Sequence, residues 1–195
     1  MSKTFEIKAE FHRKQYEEMY RKLTSITTRM ELRKAIHRAA QRAAQAGVTE
    51  SKRIISAETT LKSTEVGKRV EKYVRGSPIT DFAIGMKISD TVRPLSDFAF
   101  WPKRPKSKTD PVVEIYRGKK QKVSNGAFVQ QMPSGHIGIF RRLSEKSLPI
   151  REPAGPSVTG IFKANETIHD AVWSKINDTL EKRVLHELHF ILDGK

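Results

Sequence analysis

The chain has 195 residues, of which 37% are hydrophobic, and a formal net charge of +15. This length corresponds to one domain with a modest core, and the absence of cysteine excludes disulfides, thiolate catalysis and cysteine-ligated zinc. Without a signal-peptide pattern or a membrane-length apolar run, we expect a soluble protein made in the cytoplasm.

Two helices are predicted at the front of the chain. Residues 5–28 carry Tyr16, Met19, Tyr20 and Leu23 at helical spacing, and the poor helix formers of 24–28 end that helix. The pattern from Arg29 to about Thr60 predicts a helix about 45 Å long. Its middle is rich in alanine and includes Gly47, which favours close packing on the chain's own sheet or, alternatively, on a neighbouring subunit.

A third, short helix is predicted from Glu65 to Val74, with Ser63-Thr64 as its N-cap and Gly76 after its end. Two helices joined by a turn suggest a helix-turn-helix. A recognition helix needs base-reading side chains at its exposed N-terminal end. Here Thr64 and Glu65 occupy that turn, so we exclude sequence-specific DNA reading.

Alternating apolar and polar residues then predict an antiparallel sheet of about five strands. The C-terminal helix begins after Asn165, and its apolar residues recur at a spacing of four, so we expect that stripe to cover one face of the sheet. The fold class is α+β, with a helical arm over residues 1–75 and the sheet with the C-terminal helix over 76–195. The predicted strands are Ile79–Ile88, Leu95–Trp101, Val112–Tyr116, Ala127–Met132 and His136–Leu143.

No pattern predicts catalysis, a metal or a cofactor. His186 and His189 are three residues apart, whereas the zinc-protease signature needs histidines four apart, and no third ligand is evident. Ser134-Gly135 lacks the flanking glycines of a nucleophile elbow, and no phosphate-binding glycine loop with a lysine is present. We therefore expect a protein that is not an enzyme.

Two basic loops flank the predicted strand Val112–Tyr116, about 17 Å apart. Repeated around a ring of subunits, they would line a channel for DNA and attract phosphate without regard to sequence. A basic loop kept in solvent for solubility is the alternative. The candidate DNA-channel residues are Lys103, Arg104, Lys106, Lys108, Lys119, Lys120 and Lys122.

The predicted hairpin at 127–143 and the proline-rich segment after it are candidates for a contact with another subunit or a partner protein. The segment Leu148–Val158 has few backbone donors, so its carbonyl groups would find partners most easily in another chain. A hairpin that only fills the core is the alternative. The candidate contact residues are Phe128, Gln130, Gln131, Arg141, Arg142, Pro149, Ile150, Pro153, Gly155 and Pro156.

Four blocks in this region occur in a fixed order: GAFVQQM (126–132), SGHIGIFRR (134–142), LPI (148–150) and GPSV (155–158), with Phe162 close behind. They resemble the minor tail protein Z family of tailed bacteriophages and prophages. The resemblance implies a structural virion protein that completes the tail at its head-proximal end.

The partners implied are further copies in a closed ring, with a hexamer favoured, then tail-tube or terminator proteins, head-connector proteins and DNA passing through. No membrane is implied. A free-standing, nonspecific nucleic-acid-binding protein is the alternative function, which the basic charge favours.

Overall fold

A computed structural model describes residues 3–10, 29–77, 81–123 and 126–192. In these ranges the chain forms α-helices and short antiparallel strands, which confirms the α+β class. The helices are α1 (Arg29–Glu58), α2 (Ser63–Gly67), α3 (Val158–Ala164) and α4 (Glu166–Leu192). The strands are β1 (Lys3–Glu10), β2 (Val70–Ser77), β3 (Asp81–Asp90), β4 (Arg93–Pro94), β5 (Ala99–Trp101), β6 (Val112–Glu114), β7 (Lys120–Lys122), β8 (Ala127–Gln131), β9 (Ile137–Arg142), β10 (Ile150–Arg151) and β11 (Ala154–Gly155).

The longest strands form a sheet in the order β1-β3-β2. Strand β3 buries Ile84, Met86 and Ile88 on the face covered by α1, since Met86 Sδ lies 3.4 Å from Ser51 Oγ of that helix. The helix predicted over residues 5–28 is wrong for residues 5–10, because these residues form a strand that pairs with β3. The pairing runs from Phe5 opposite Ile88 to Glu10 opposite Ala83. The rest of that predicted helix, residues 11–28, lies outside the described residues.

The predicted helix from Glu65 to Val74 is also wrong beyond its first turn. Helix α2 ends at Gly67, and β2 begins at Val70, which is buried opposite Ile88 of β3. The sheet overrides the local helix propensity because β2 gains a full ladder of hydrogen bonds along β3. The N-cap position is Lys62 rather than Ser63, and no side chain caps the helix there.

Helices α1 and α4 lie antiparallel along most of their length. Arg38 donates to Glu187 near one end of the pair, with Nε 2.9 Å from Oε2, and the Asn165 amide donates to Glu58 at the other end. Between them, a Cβ atom on Gly47 would lie 2.7 Å from the Ile176 side chain, so any larger residue there would force Ile176 to move. The alanine-rich part of α1 is therefore buried within the chain itself: Ala35, Ala39, Ala40, Ala43 and Ala44 have no exposed surface.

The predicted five strands do not form one continuous sheet. Strands β5, β6 and β7 form one small sheet, β8, β9 and β10 form another, and β4 pairs with β11. The stripe on α4 is buried, from Ile168 to Leu188, but it packs mainly along α1 and reaches the sheet at β1. Strands of two or three residues separated by proline-containing loops are too short to extend a common ladder.

Candidate functional site

The β8–β9 hairpin matches its prediction closely. Val129 pairs with Ile139, and both side chains are buried in the core. The turn closes where Met132 N donates to His136 O at 2.8 Å and Gly135 N donates to Met132 O at 2.9 Å. Gly135 has φ +85°, a conformation that L side chains rarely adopt, so glycine is required at this position of the turn.

The other face of the hairpin carries an aromatic pair. The ring centroids of Phe128 and Phe140 are 6.3 Å apart, and the Arg142 guanidinium lies 4.8 Å from the Phe128 centroid. His136 meets Phe140 edge-on, and its Nε2 lies 3.3 Å from a carboxylate oxygen of Glu152. Phe128 therefore serves the hairpin's own packing, while its outer side is covered by a cation that remains exposed.

The proline-rich segment finds backbone partners within its own chain. Leu143 N donates to Pro149 O at 3.1 Å, and Leu95 N donates to Pro153 O at 3.0 Å. Strand β10 places Ile150 opposite Arg142, and β11 places Gly155 opposite Arg93. Unsatisfied carbonyl groups are therefore not a reason for a contact with another chain at these positions. Gly155 is instead required by packing, because a Cβ there would lie 2.8 Å from the Phe98 ring.

The most exposed part of this region is the end of β9 together with its connection to β10, which we name the 141–149 loop. Every residue from Arg141 to Pro149 is exposed. Leu143 and Leu148 are 60% and 66% exposed, although leucine is normally withdrawn from water. Arg141 lies directly opposite Arg151, and neither forms an ion pair among the described residues. Such a combination of apolar side chains and arginines is typical of protein–protein contacts.

A buried ion pair fixes the base of this region. The Nε of Arg93 donates to Asp90 Oδ2 at 2.9 Å, and its Nη1 donates to Asp97 at 2.7 Å. The same Asp90 oxygen accepts from Val158 N at 2.9 Å, which ties the start of α3 to β3. Burial opposes the charge of Arg93, but the hydrogen bonds and charges of Asp90 and Asp97 outweigh it and raise the pKa of that guanidinium.

The first basic loop, residues 102–111, packs beside the hairpin. Lys106 N donates to Val129 O on the free edge of β8 at 3.0 Å, and Lys106 has φ +59°. An open groove there is lined by Pro105, Lys106, Gln130 and Gln131. Lys106, which was predicted to line a DNA channel, therefore lies beside Gln130 and Gln131, which were predicted to contact another chain. Lys103, Arg104, Lys106 and Lys108 are all exposed.

The second group of cations lies on a different part of the β5–β6–β7 sheet. Lys120 and Lys122 belong to the exposed edge strand β7, and Lys119 precedes it in the turn. The strand between the two loops, β6, has three residues rather than five, so its ends are only about 7 to 10 Å apart. Strand β7, which carries Lys120 and Lys122, pairs along β6.

Two aromatic rings contact lysines of these groups. Lys103 Nζ lies 3.3 Å from the centroid of buried Phe100, and Lys120 Nζ lies 4.9 Å from that of Trp101. Although the Lys103 side chain as a whole is exposed, partial burial of its ammonium against Phe100, followed by the charge of Lys62, lowers the pKa of Lys103. Trp101 is 44% exposed and was not predicted as a site residue, nor was Leu143, whereas Leu148 lay in the predicted contact segment without being named as a contact residue. For Trp101 the available signal was its position directly before a cluster of cations.

The histidines do not assemble into a metal centre in the part of the chain that the structure describes. His186 and His189 are exposed on α4, and the described ranges hold no group of three or more histidine, cysteine, aspartate or glutamate side chains able to bind a metal ion. None of the described helices is both long enough and apolar enough to cross a membrane.

Comparison with known proteins gives one match. The family model described as prophage minor tail protein Z (GPZ) matches residues 14–193, which is nearly the whole chain. No curated protein and no solved structure matches the chain. The match covers helices α1 to α4 and the hairpin region that carries the resembling blocks. The chain therefore belongs to the prophage minor tail protein Z family, a family of structural phage tail proteins.

Proposed function

We propose that this protein completes the phage tail at its head-proximal end, where several copies form a closed ring. Family membership makes the chain a phage tail protein. The observation that carries the finer proposal is the fully exposed 141–149 loop, which presents Leu143 and Leu148 between unpaired arginines. These apolar side chains gain stability when a neighbouring protein removes them from water.

A ring requires two different faces on each copy, because head-to-tail contacts close only when one surface meets a second one on the next subunit. We assign the 141–149 loop to one of these faces. Six copies is the number we favour. Of the predicted contact residues that are exposed in the structure, Arg141, Arg142 and Pro149 belong to this loop, and Gln131 lies at the other end of the hairpin.

The neighbours in this proposal are the tail tube or its terminator on one side and the head connector on the other, with genomic DNA passing between them. The cations of residues 103–108 and 119–122 would face the DNA. Their attraction to phosphate is electrostatic, so it needs no specific base contacts and weakens as salt increases.

Addition of the purified protein to tails assembled without it tests this proposal. We expect electron microscopy to reveal a ring at one end of the tail tube, and we expect these tails to join heads. A protein that leaves the tube ends bare, and leaves head joining unchanged, would contradict the proposal.

A nonspecific nucleic-acid-binding protein is the second candidate function. The net charge of +15 and the exposed edge strand Lys120–Lys122 favour it. Reversal of charge at Lys103, Arg104, Lys119 and Lys120 separates the two functions. If those variants lose DNA binding while particles still join normally, DNA binding is a property apart from tail completion.

A further inference from the structure

We propose that the outer face of the β5–β6–β7 sheet binds single-stranded nucleic acid, with one unpaired base stacked on Trp101. We name this surface the tryptophan–lysine face and define it by Trp101, Val112, Lys120 and Lys122, with Lys119 in the turn before β7. The lysines would contact the phosphates on either side of the stacked base. This site is a property of the isolated chain and does not depend on the position of the chain in the tail.

The strand register assembles this face. Phe100 pairs with Val113, and both are buried, so they point toward the core. Side chains alternate along a strand, and the neighbouring row, in which Trp101, Val112 and Lys122 lie across the three strands, therefore belongs to the outer face. The next outer row ends at Lys120, opposite Glu114.

Trp101 is held in a position where it can receive a ligand. Its side chain remains 44% exposed, and the Lys120 ammonium lies 4.9 Å from the ring centroid. A cation over an indole ring is attracted to the π-electrons. A nucleotide can replace this contact by two others, because its base can stack on the indole ring while its phosphate binds the Lys120 ammonium.

The cations of this face lack anionic partners. Lys119, Lys120 and Lys122 are exposed, and none forms an ion pair within the described residues. The carboxylate of Glu114 is the acidic group in the next row, and its Oε1 accepts a hydrogen bond from Gly118 N at 2.7 Å. The face therefore keeps an excess of positive charge next to an exposed aromatic ring.

An exposed indole ring beside lysines favours single-stranded nucleic acid over duplex DNA and acidic peptides. A single strand offers a π-face and a phosphate at every nucleotide, which matches an indole beside lysines. The bases of a duplex are stacked on one another, so duplex DNA can use the lysines but not the ring. An acidic peptide supplies carboxylates without a base to stack.

Tryptophan fluorescence tests the site directly, because the chain contains two tryptophans and Trp173 lies partly buried on α4. In a Trp173→Phe variant, Trp101 is the sole emitter. We expect a titration with a thymidine 12-mer at low salt to quench its emission. In the same background, with binding followed by the anisotropy of a dye-labelled 12-mer, Trp101→Ala should weaken binding about tenfold, as the usual range for stacking predicts, and Trp101→Phe should retain most of the affinity.

The lysines are tested through the salt dependence of binding. Replacement of Lys120 and Lys122 by glutamine should reduce the magnitude of the slope of log K against log salt by about 1.4, since each single-strand phosphate contact contributes about 0.7. A matched control, Lys175→Gln with Lys182→Gln on the exposed side of α4, removes the same charge and should leave that slope nearly unchanged.

Several results would overturn the proposal. One is no binding of the 12-mer, and another is binding without quenching and without loss in Trp101→Ala. Equal or tighter binding of a duplex that leaves Trp101 unquenched would assign the face to phosphates alone. Competition by polyglutamate as strong as that by an equally charged oligonucleotide would assign it to an acidic protein. The proposed position in the tail can fail while this site holds, and the reverse is equally possible.

Discussion

Arg93 is a buried arginine, 5% exposed, and one of its terminal nitrogens, Nη2, has no hydrogen-bond partner among the residues that the structure describes. Its charge is balanced by Asp90 and Asp97. A buried cation is tolerated only while such partners are in place, because removal of one leaves a charge away from water. The pair matters for the candidate site because Asp90 also binds Val158 N and thereby fixes the end of the proline-rich segment.

Replacement of Asp90 by asparagine should therefore lower the free energy of unfolding by about 3 kcal/mol or more, the usual cost of breaking a buried ion pair. Urea unfolding followed by circular dichroism measures this change. The control is Glu50→Gln, which breaks the exposed pair with Arg53 on α1 and should leave the midpoint nearly unchanged. Equal midpoints for the two variants would show that the buried pair is not stabilising this region.

For single residues, the sequence predicts turn positions better than it predicts the exposure of side chains. Gly135 was placed correctly because a Pro-Ser-Gly turn between two alternating runs has few other conformations. Trp101 was missed because alternation fails in the predicted strand Leu95–Trp101. Residues 95–97 form a 3-10 turn, so Leu95 and Phe98 are both buried at a spacing of three, and only the last three residues alternate.

Among the secondary-structure elements, the antiparallel pair of α1 and α4 organises the core. Both helices were predicted from their periodicity, α1 within two residues of its end. The packing of α1 against α4 was not predicted, because periodicity shows that a helix face is apolar but does not show which element covers it. This contact depends on Gly47, because a Cβ atom added to it would lie 2.7 Å from the Ile176 side chain.

A valine at position 47 should lower the free energy of unfolding by about 2 to 3 kcal/mol, because overpacking a tight core forces its neighbours to move. Thermal and urea unfolding measure the effect. The control Ala57→Val introduces the same side chain at an exposed position of α1 and should cost only about 0.5 kcal/mol. If Gly47→Val with Ile176→Ala were not more stable than the sum of the two single changes predicts, the two positions would not be in contact.

Two elements were predicted as helix but are strands, and the reason is the same for both. Residues 5–10 and 70–74 contain good helix formers such as glutamate and lysine, but they belong to β1 and β2, each of which pairs with β3 over eight residues. Pairing between distant segments depends on a partner strand, so it is invisible to a local window. In 5–10, the alternation of Phe5, Ile7 and Ala9 with charged residues was the signal that favoured a strand.

For the molecule as a whole, the described surface divides into parts of different chemistry. The cations of residues 103–108 and 119–122 lie around the small β5–β6–β7 sheet and the groove beside β8, whereas the exposed leucines lie in the 141–149 loop. The sequence identified the stretches, because basic runs and the family blocks are local features. It did not identify the exposed side chains, because exposure depends on which strands pair.

Substitution of both Leu143 and Leu148 by serine should leave the unfolding curve nearly unchanged, because both side chains are already in water. The same variant should fail to restore head joining to tails assembled without the protein, since the apolar part of the contact is lost. The control Leu185→Ser changes an exposed leucine on α4 and should restore joining fully. Normal joining by the double variant would remove the 141–149 loop from the interface.

The central claim is that this chain is built into the tail at the end that meets the head. Cryo-electron microscopy of virions that carry the chain with a gold-binding tag at its C-terminus tests that claim most directly. We predict label at the junction of head and tail in several copies around the tail axis. Label at the distal tip, or purified infectious virions without label, would contradict it.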